Sequence, residues 1–138
     1  MNAQNAVHEK MHSSLHMEHV IFDNLSFIRK GFATDNDVEI KARVKIEKDD
    51  EGLYRVILKV IADKQDEYIA EVQITGYCSI DEAYPEKDIM LNQNAVAILF
   101  PYVRAQLSLL TAQPGTDPIV LPVMNITAML AKGNNSGE

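Results

Sequence analysis

Hydrophobic and polar residues alternate without interruption between Val38 and Lys48. One face of this segment carries only apolar side chains, those of Val38, Ile40, Ala42, Val44 and Ile46. The other face carries charged side chains. A strict two-residue period is typical of a strand that buries one face and leaves the other in water. The segment therefore predicts a half-buried antiparallel strand, and the sequence Asp49–Gly52 predicts the hairpin turn that follows it.

Three further segments predict strands of the same sheet. Tyr54–Ala62 and Tyr68–Ile80 keep an apolar residue at nearly every second position, and a short turn separates them. Leu15–Phe22 follows the alternation less regularly and predicts a first strand. Phe27–Asp37 contains a glycine and an Asp-Asn-Asp sequence, so it predicts a turn-rich connection. Short turns between consecutive strands favour an antiparallel sheet.

Apolar residues at helical spacing predict a long helix after a loop, residues 81–92, that is centred on Pro85. One stripe of this helix consists of Val96, Leu99, Phe100, Val103, Leu107 and Leu110. A second stripe, on the other side, consists of Ile98, Tyr102, Ala105 and Leu109. A helix that is apolar on two sides must be covered on two sides, and its own sheet covers one. Either another subunit covers the second side, or Met124–Ala131 or the N-terminal arm folds over it.

Pro101 leaves two arrangements open for the start of this helix. Proline has no amide N–H and clashes with the carbonyl group four residues earlier. The helix therefore either begins near Phe100, because the first turn tolerates proline, or kinks at Pro101. Pro114-Gly115 ends the helix. Asn125 is a suitable cap for a short last helix at Ile126–Lys132.

Length, charge and cysteine content restrict the classes of function. The 138 residues predict one domain, residues 15–132, between a flexible arm, residues 1–14, and a flexible tail, residues 133–138. A formal net charge of −7 argues against nucleic acid as the main partner, because phosphate binding needs a basic face. We expect neither membrane insertion nor a signal peptide, since no apolar run is long enough. A single cysteine, Cys78, fits a reducing compartment and predicts a cytoplasmic protein.

Four histidines are the only candidate metal ligands with a regular spacing. On a helix, one face would carry His8, His12, His16 and His19. However, the last two fall at the start of the first predicted strand, where alternation sends them to opposite faces. We therefore expect exposed histidines and no metal.

No other group of residues predicts catalysis or a cofactor. Cys78 has no basic neighbour in the sequence, so we expect a small core residue there rather than a thiolate nucleophile. Asp63, Asp66 and Glu67 cluster at a turn, and such clusters are usually solvated. The sequence contains no Gly-rich phosphate loop and no recognisable serine nucleophile. It therefore predicts a protein that is not an enzyme.

The segment Ile98–Arg104 reads Ile-Leu-Phe-Pro-Tyr-Val-Arg, which resembles the helix motif Leu-Phe-Pro-Tyr-x-Arg of the SecB family of export chaperones. Weaker similarities to the strands of that family occur, in the same order, at Leu25–Phe27, Tyr54–Val60 and Ile69–Ile80. The resemblance covers residues 17–130. It implies an α+β fold, namely a four-stranded antiparallel sheet with one long helix packed on a face and a short C-terminal helix.

The resemblance also implies an assembly. In the SecB family, two subunits pair through their first strands, and two such dimers enclose their long helices between their sheets. The chain would then form a homotetramer, a dimer of dimers, whose interface contains Ile98, Tyr102, Ala105 and Leu109. This arrangement supplies the second cover that the two apolar stripes require.

The family's activity implies an ATP-independent holdase that binds unfolded or nascent polypeptides, or preproteins, in apolar grooves during protein export, without a cofactor. Apolar area suits many client sequences, and methionine adapts to varied partners. Candidate residues for the groove are Phe27, Ile28, Phe32, Val38, Ile40, Ile126, Met129 and Leu130. Val38 and Ile40 are also compatible with an ordinary core. Phe32 is the sharper candidate, because a turn-rich loop seldom contains an unused phenylalanine.

Partners other than clients follow from the same resemblance. An acidic outer sheet face binds the SecA motor in the exporters, and Glu71 is similar to one of those acidic positions. Asn24 and Ile28 occupy two others, which weakens the prediction of SecA binding. Some SecB-like proteins are chaperones of an antitoxin in toxin–antitoxin modules, and Asn94–Tyr102 is more similar to that group. Three functions stay open: an export holdase, a dedicated antitoxin chaperone, and a SecB-fold adaptor that binds no client.

Overall fold

The computed structural model describes residues 15–122, which form four strands followed by one helical stretch. The strands are β1, Leu15–Arg29; β2, Val38–Lys48; β3, Tyr54–Lys64; and β4, Tyr68–Ile80. They make one antiparallel sheet in the order β1-β4-β3-β2, so the connection from β1 to β2 crosses from one edge to the other. The predicted α+β class is confirmed. The predicted arm, last helix and tail lie outside the described residues.

Strands β2, β3 and β4 bury the faces that their alternation predicts. On β3, every second residue is fully or almost fully buried, namely Tyr54, Val56, Leu58, Val60 and Ala62. The turn after β2 also agrees with its sequence. The Oδ1 atom of Asp49 accepts hydrogen bonds from the amides of Glu51 at 2.9 Å and Leu53 at 2.8 Å. Gly52 has a φ of 87°, which glycine adopts without strain.

Strand β1 continues further than the sequence predicts. The prediction that Phe27 and Ile28 belong to a turn-rich connection is wrong, because both pair with β4 and the strand ends at Arg29. The connection is shorter, residues 30–37. We call it the crossover loop.

Two β-bulges explain why periodicity missed the end of β1. The register shifts between Met17 and His19 and again between Phe22 and Asn24. Each bulge inserts one residue and moves the following side chains to the opposite face. A search for strict alternation therefore loses the strand after Phe22.

The helical stretch begins inside the segment that the sequence assigns to a loop. It consists of a short helix α1, Lys87–Ile89, a π-helical segment, Met90–Ala95, and helix α2, Val96–Thr111. Pro101 lies inside α2, so the alternative in which the helix starts near Phe100 is wrong. None of the helices within residues 15–122 combines the length and hydropathy that crossing a membrane requires.

The core lies between α2 and one face of the sheet, which we call the helix-side face. The first stripe of α2 is buried there, with Val96, Leu99, Val103 and Leu107 fully enclosed. Gly76 on β4 permits the close approach. A Cβ atom at this position would lie 2.7 Å from the Sδ atom of Met17 and 3.1 Å from a methyl carbon of Leu99. We call the opposite face of the sheet the outer face.

After α2 the chain turns back alongside the helix. The hydroxyl of Ser108 donates a hydrogen bond to the carbonyl of Ile119 at 2.7 Å, and the amide of Ile119 donates to the hydroxyl of Thr111 at 2.8 Å. Arg104 donates to the carbonyl of Leu121. These bonds hold an extended segment against α2 and bury the side chain of Leu121 in the core.

Candidate functional site

A buried carboxylate fastens the crossover loop to the turn between β3 and β4. Glu67 has 0% of its surface exposed. Its Oε1 atom accepts hydrogen bonds from the amide of Thr34 at 2.7 Å and from the ammonium group of Lys64 at 2.9 Å. The Thr34 amide and then Lys64 lower the pKa of Glu67, against the opposing effect of burial. The prediction that Glu67 lies in a solvated turn is therefore wrong.

The backbone adds a second set of contacts at the same place. The carbonyl group of Glu67 accepts hydrogen bonds from the amides of Lys30 at 2.8 Å and Gly31 at 3.2 Å. Gly31 passes so near the turn that a Cβ atom would lie 2.5 Å from the carbonyl oxygen of Asp66. Because any side chain here would push the two segments apart, the docking of the loop requires glycine.

Arg29, the last residue of β1, connects the crossover loop to the segment that follows α2. Its guanidinium group donates hydrogen bonds to the carbonyls of Gly31 at 3.1 Å and Pro114 at 3.3 Å. It also lies 5.5 Å from the centroid of the Phe27 ring, which stacks on the ring of Tyr68 at 5.1 Å. Three segments of the chain are therefore held together at one end of the sheet.

Phe32 projects into solvent from this fastened loop, with 94% of its surface exposed. Leaving a phenylalanine exposed forgoes about 2–3 kcal/mol of burial free energy. The residues on both sides of it, Gly31 and Thr34, are hydrogen-bonded to Glu67. A loop that is already ordered loses little entropy when its aromatic side chain binds a partner. Phe32 is therefore well placed to contact another polypeptide.

The structure distributes the other predicted groove residues over two faces. Phe27 lies on the helix-side face and Ile28 on the outer face, because neighbouring residues of a strand point in opposite directions. Phe27 and Ile28 therefore do not line one groove. Val38 and Ile40 are half-buried against the core, near the start of the other edge strand. The remaining candidates lie outside the described residues: Ile126, Met129 and Leu130.

The second stripe of α2 faces away from the sheet. Ile98, Tyr102 and Leu109 are 43%, 47% and 64% exposed, and Ala105 is exposed between them. The Tyr102 ring meets the ring of Phe22 edge to face, with 6.4 Å between centroids. Within residues 15–122, no other segment encloses this stripe. A row of exposed apolar side chains on a helix is typical of a protein interface.

His16 and His19 lie on the same face of the sheet, opposite Ser79 and Tyr77 of β4. The prediction of opposite faces is wrong, because the bulge at Glu18 adds one residue between them. His8 and His12 lie outside the described residues. Within residues 15–122, no three histidine, cysteine, aspartate or glutamate side chains are close enough to hold a metal ion.

Cys78 is a core residue, as the sequence predicts. Its side chain is fully buried, and burial raises the pKa of the thiol to about 11. At neutral pH the thiol is therefore protonated, and the protonated form is a poor nucleophile.

Comparison with known protein families identifies the family of this chain. The family model described as "Preprotein translocase subunit SecB" matches residues 10–136. The chain belongs to the SecB family. The resemblance carried by Ile98–Arg104 is thereby confirmed.

Two relatives illustrate how far the similarity of this SecB-family chain extends. An uncharacterised protein of Methanocaldococcus jannaschii is 31% identical over 101 residues, which are 69% of this chain and 65% of that protein. The protein-export protein SecB of Anaplasma phagocytophilum is 33% identical over 89 residues, which are 59% of this chain and 56% of that protein. The matches thus span less than two thirds of the length of either relative.

A solved structure shows the same SecB fold. It is the SecB-like chaperone of Mycobacterium tuberculosis in complex with a ChAD peptide from the HigA1 antitoxin. It superposes with a TM-score of 0.67 at 12% identity and covers 89% of this chain and 99% of that one. At this level of identity, the match establishes the fold.

Glu71, the predicted SecA contact of this SecB-family chain, already makes contacts within its own sheet. The side-chain amide of Asn24 donates a hydrogen bond to its Oε2 atom at 2.5 Å. The ammonium group of Lys59 lies 3.6 Å from its Oε1 atom. Both carboxylate oxygens of Glu71 therefore already have partners within the sheet, and binding of SecA through Glu71 stays a prediction.

Proposed function

We propose that this chain is a cytoplasmic, ATP-independent holdase that keeps unfolded or nascent polypeptides, including preproteins, from aggregating. The observation that carries the proposal is Phe32, which is almost fully exposed on a loop held by Glu67 and Arg29. Membership of the SecB family supports it, since relatives are named protein-export proteins. Holding a client by apolar contact needs neither catalysis nor a cofactor.

The free energy of binding requires several apolar contacts per client. Binding in the micromolar range takes about 8 kcal/mol, whereas burying one phenylalanine side chain contributes about 2–3 kcal/mol. Phe32 therefore acts together with other apolar residues that also offset the entropy lost on association. We propose Phe27, Val38 and Ile40 as partners on the helix-side face, and Ile28 as a separate contact on the outer face. The same proposal includes three residues outside the described part of the chain, namely Ile126, Met129 and Leu130.

Assembly is the second part of the proposal. The exposed stripe of Ile98, Tyr102, Ala105 and Leu109 suits burial against the α2 helices of other subunits. Strand β1 lies at an edge of the sheet, and no strand within residues 15–122 pairs with its other side, which is therefore available for a second copy. Together, these two surfaces support a homotetramer built as a dimer of dimers.

Light scattering of chemically denatured client proteins, diluted into buffer with and without the chain, tests the proposal. We expect suppression of aggregation by the wild type. Replacing Phe32→Ser should weaken client binding about tenfold, because most of its apolar contact is lost, and should leave the assembly intact. Replacing Ile89→Ser removes an exposed aliphatic side chain from α1 and is the matched control.

Two results would contradict the proposal. A wild-type chain that leaves the aggregation of several unrelated clients unchanged is no holdase, and an adaptor that binds no client becomes the better explanation. Equal activity of the wild type and Phe32→Ser would remove Phe32 from the binding surface. Sedimentation of both variants shows whether a loss of activity reflects a loss of assembly instead.

A dedicated antitoxin chaperone is the second candidate function. Its support is the fold shared with a SecB-like chaperone that was solved with an antitoxin peptide. The same assay separates the two functions. Protection of an antitoxin without protection of unrelated clients would favour the dedicated chaperone, and protection of all clients would favour the general holdase.

A further inference from the structure

The outer face of the sheet carries a group of cations on β2 and β3. A depression of about 270 Å³ on this face is lined by Lys41, Arg43, Lys59 and Ile61. We call these four residues the basic patch. Its sign is opposite to that of the chain as a whole, whose formal net charge is −7.

Two cations of the basic patch face each other directly. Arg43 and Lys59 are register partners on adjacent strands, and like charges at such positions destabilise a sheet. Lys59 has a carboxylate nearby, that of Glu71 at 3.6 Å. Arg43 is exposed and forms no ion pair with any of residues 15–122. An external anion would neutralise this repulsion.

Carboxylates at the border limit the size of the anion that fits. The carboxylate of Glu39 lies 3.7 Å from the ammonium group of Lys41. Farther along the same face, the carboxylate of Glu47 pairs with the guanidinium group of Arg55 at 2.8 Å. With Glu71 on the third side, the positive region extends over only a few side chains. A long polyanion such as nucleic acid would meet these carboxylates and the negative charge of the rest of the chain. A short anionic segment would not.

The side chains of the patch also indicate which group should stand next to the carboxylate of the ligand. Arg43 presents a planar guanidinium fork that binds a carboxylate through two parallel hydrogen bonds. Ile61 lines the same depression, and Ile57 lies on the other side of Lys59 on the same face of β3; both isoleucines are half-buried. The matching ligand therefore combines a carboxylate with an aliphatic side chain.

We propose that the basic patch docks a short acidic segment of a partner polypeptide, in which one or two carboxylates stand beside an aliphatic side chain. The patch lies on the outer face and contains none of the residues assigned to client binding. The proposal therefore does not depend on the holdase function.

Fluorescence anisotropy with the full-length chain tests this docking. The probe is a labelled twelve-residue peptide of alternating glutamate and leucine, capped at both ends with serine. A second peptide with glutamine in place of every glutamate is its neutral control. We expect the acidic peptide to bind at least tenfold more tightly than the neutral one, and added salt to weaken its binding.

Paired variants locate the binding site. The double variant Arg43→Gln with Lys59→Gln should weaken binding of the acidic peptide about tenfold. The double variant Lys48→Gln with Lys87→Gln removes the same formal charge from residues around Glu82 and should change binding less than about twofold. Phe32→Ser should have no effect, which distinguishes the patch from the client surface. Circular dichroism confirms folding of each variant.

Several outcomes would overturn the proposal. They are equal binding of the acidic and neutral peptides, unchanged binding by the patch variant, or loss of binding in Phe32→Ser. Tighter binding of a single-stranded DNA of equal charge would show that the patch serves nucleic acid instead. A change of oligomeric state in the patch variant would show that a second copy of the chain occupies it.

Discussion

Glu67 determines where the crossover loop lies, although it is only one residue of a turn. It joins the Thr34 amide and the Lys64 ammonium group through one carboxylate oxygen. Lys64, three residues earlier, is the only local sign of this role in the sequence. Thr34 is separated from Glu67 by 33 residues, and no periodic pattern connects them. The position of Phe32 thus depends on a contact that only the folded chain brings together.

Removing this carboxylate should release the loop. In Glu67→Ala the amide of Thr34 loses its acceptor, so we expect much faster hydrogen exchange at this amide, weaker client binding and a melting temperature lower by roughly 5 °C. Glu67→Gln keeps an acceptor oxygen and should have a smaller effect on exchange. Exchange mass spectrometry over residues 30–37 measures the difference.

A control separates the specific contact from a general effect of charge. Glu51→Ala removes an exposed acid from the turn between β2 and β3 and should leave exchange in the crossover loop unchanged. If Glu67→Ala and Glu51→Ala behave alike, the carboxylate of Glu67 does not hold the loop.

Helix α2 has two apolar surfaces, one buried and one exposed. Its first stripe is enclosed by β1, β3 and β4, and its second stripe is open at Ile98, Tyr102 and Leu109. Both stripes follow from helical spacing in the sequence. Which of them contacts the sheet depends on the direction in which the chain leaves β4. The open stripe is the surface that assembly would bury.

A charge placed on the open stripe should divide the proposed tetramer into dimers. We expect Leu109→Glu or Tyr102→Glu to weaken association about a hundredfold, because an unpaired carboxylate would be buried in the interface. Gln106→Glu adds the same charge to the polar edge of α2 and serves as the control. Sedimentation velocity at micromolar concentration measures the species, and an unchanged profile for Leu109→Glu would refute the interface.

Glu82 links three elements at the end of the sheet opposite the crossover loop. Its carboxylate accepts hydrogen bonds from the Tyr54 hydroxyl and the Lys87 ammonium group and pairs with Lys48, each at 2.9 Å. Lys48, Lys87 and Tyr54 lower the pKa of Glu82 to about 2. The pKa values of Lys48 and Lys87 are raised by the same carboxylate.

These pKa shifts predict how the stability of the whole molecule varies with pH. The unfolded chain binds protons more tightly at Glu82 and Glu67 than the folded chain, so stability should fall below about pH 4.5 and continue to fall toward about pH 2. The raised pKa values of Lys48 and Lys87 make stability fall again above about pH 10.5. The raised pKa of the Cys78 thiol, about 11, makes stability begin to fall already above about pH 9, so stability should be flat only between about pH 4.5 and 9.

Urea unfolding at fixed protein concentration across this range measures the free energy of unfolding. Glu82→Gln should be slightly less stable than the wild type at pH 7, and the difference should shrink as pH falls toward 2, where about half of the wild-type carboxylates are protonated. A constant difference at every pH would show that charge on Glu82 contributes nothing.

The sequence alone determined the buried faces of β2, β3 and β4 and both stripes of α2. Buried positions recur with the period of the helix or strand, and this period can be read from the consecutive residues of one segment. The motif at Ile98–Arg104 also indicated the family. The hydrophobic pattern placed the end of β1 too early because bulges interrupt its period. It placed the start of the helical stretch too late because a π-helical segment precedes α2.

Only the tertiary structure decided which segments meet. The strand order, the burial of Glu67 beneath the crossover loop and the pairing of Arg43 with Lys59 join residues that are far apart in the chain. Such pairs depend on register and on the path of the connections, and one inserted residue changes every partner that follows. A one-dimensional pattern records whether a residue is buried, but it does not record which residue lies against it.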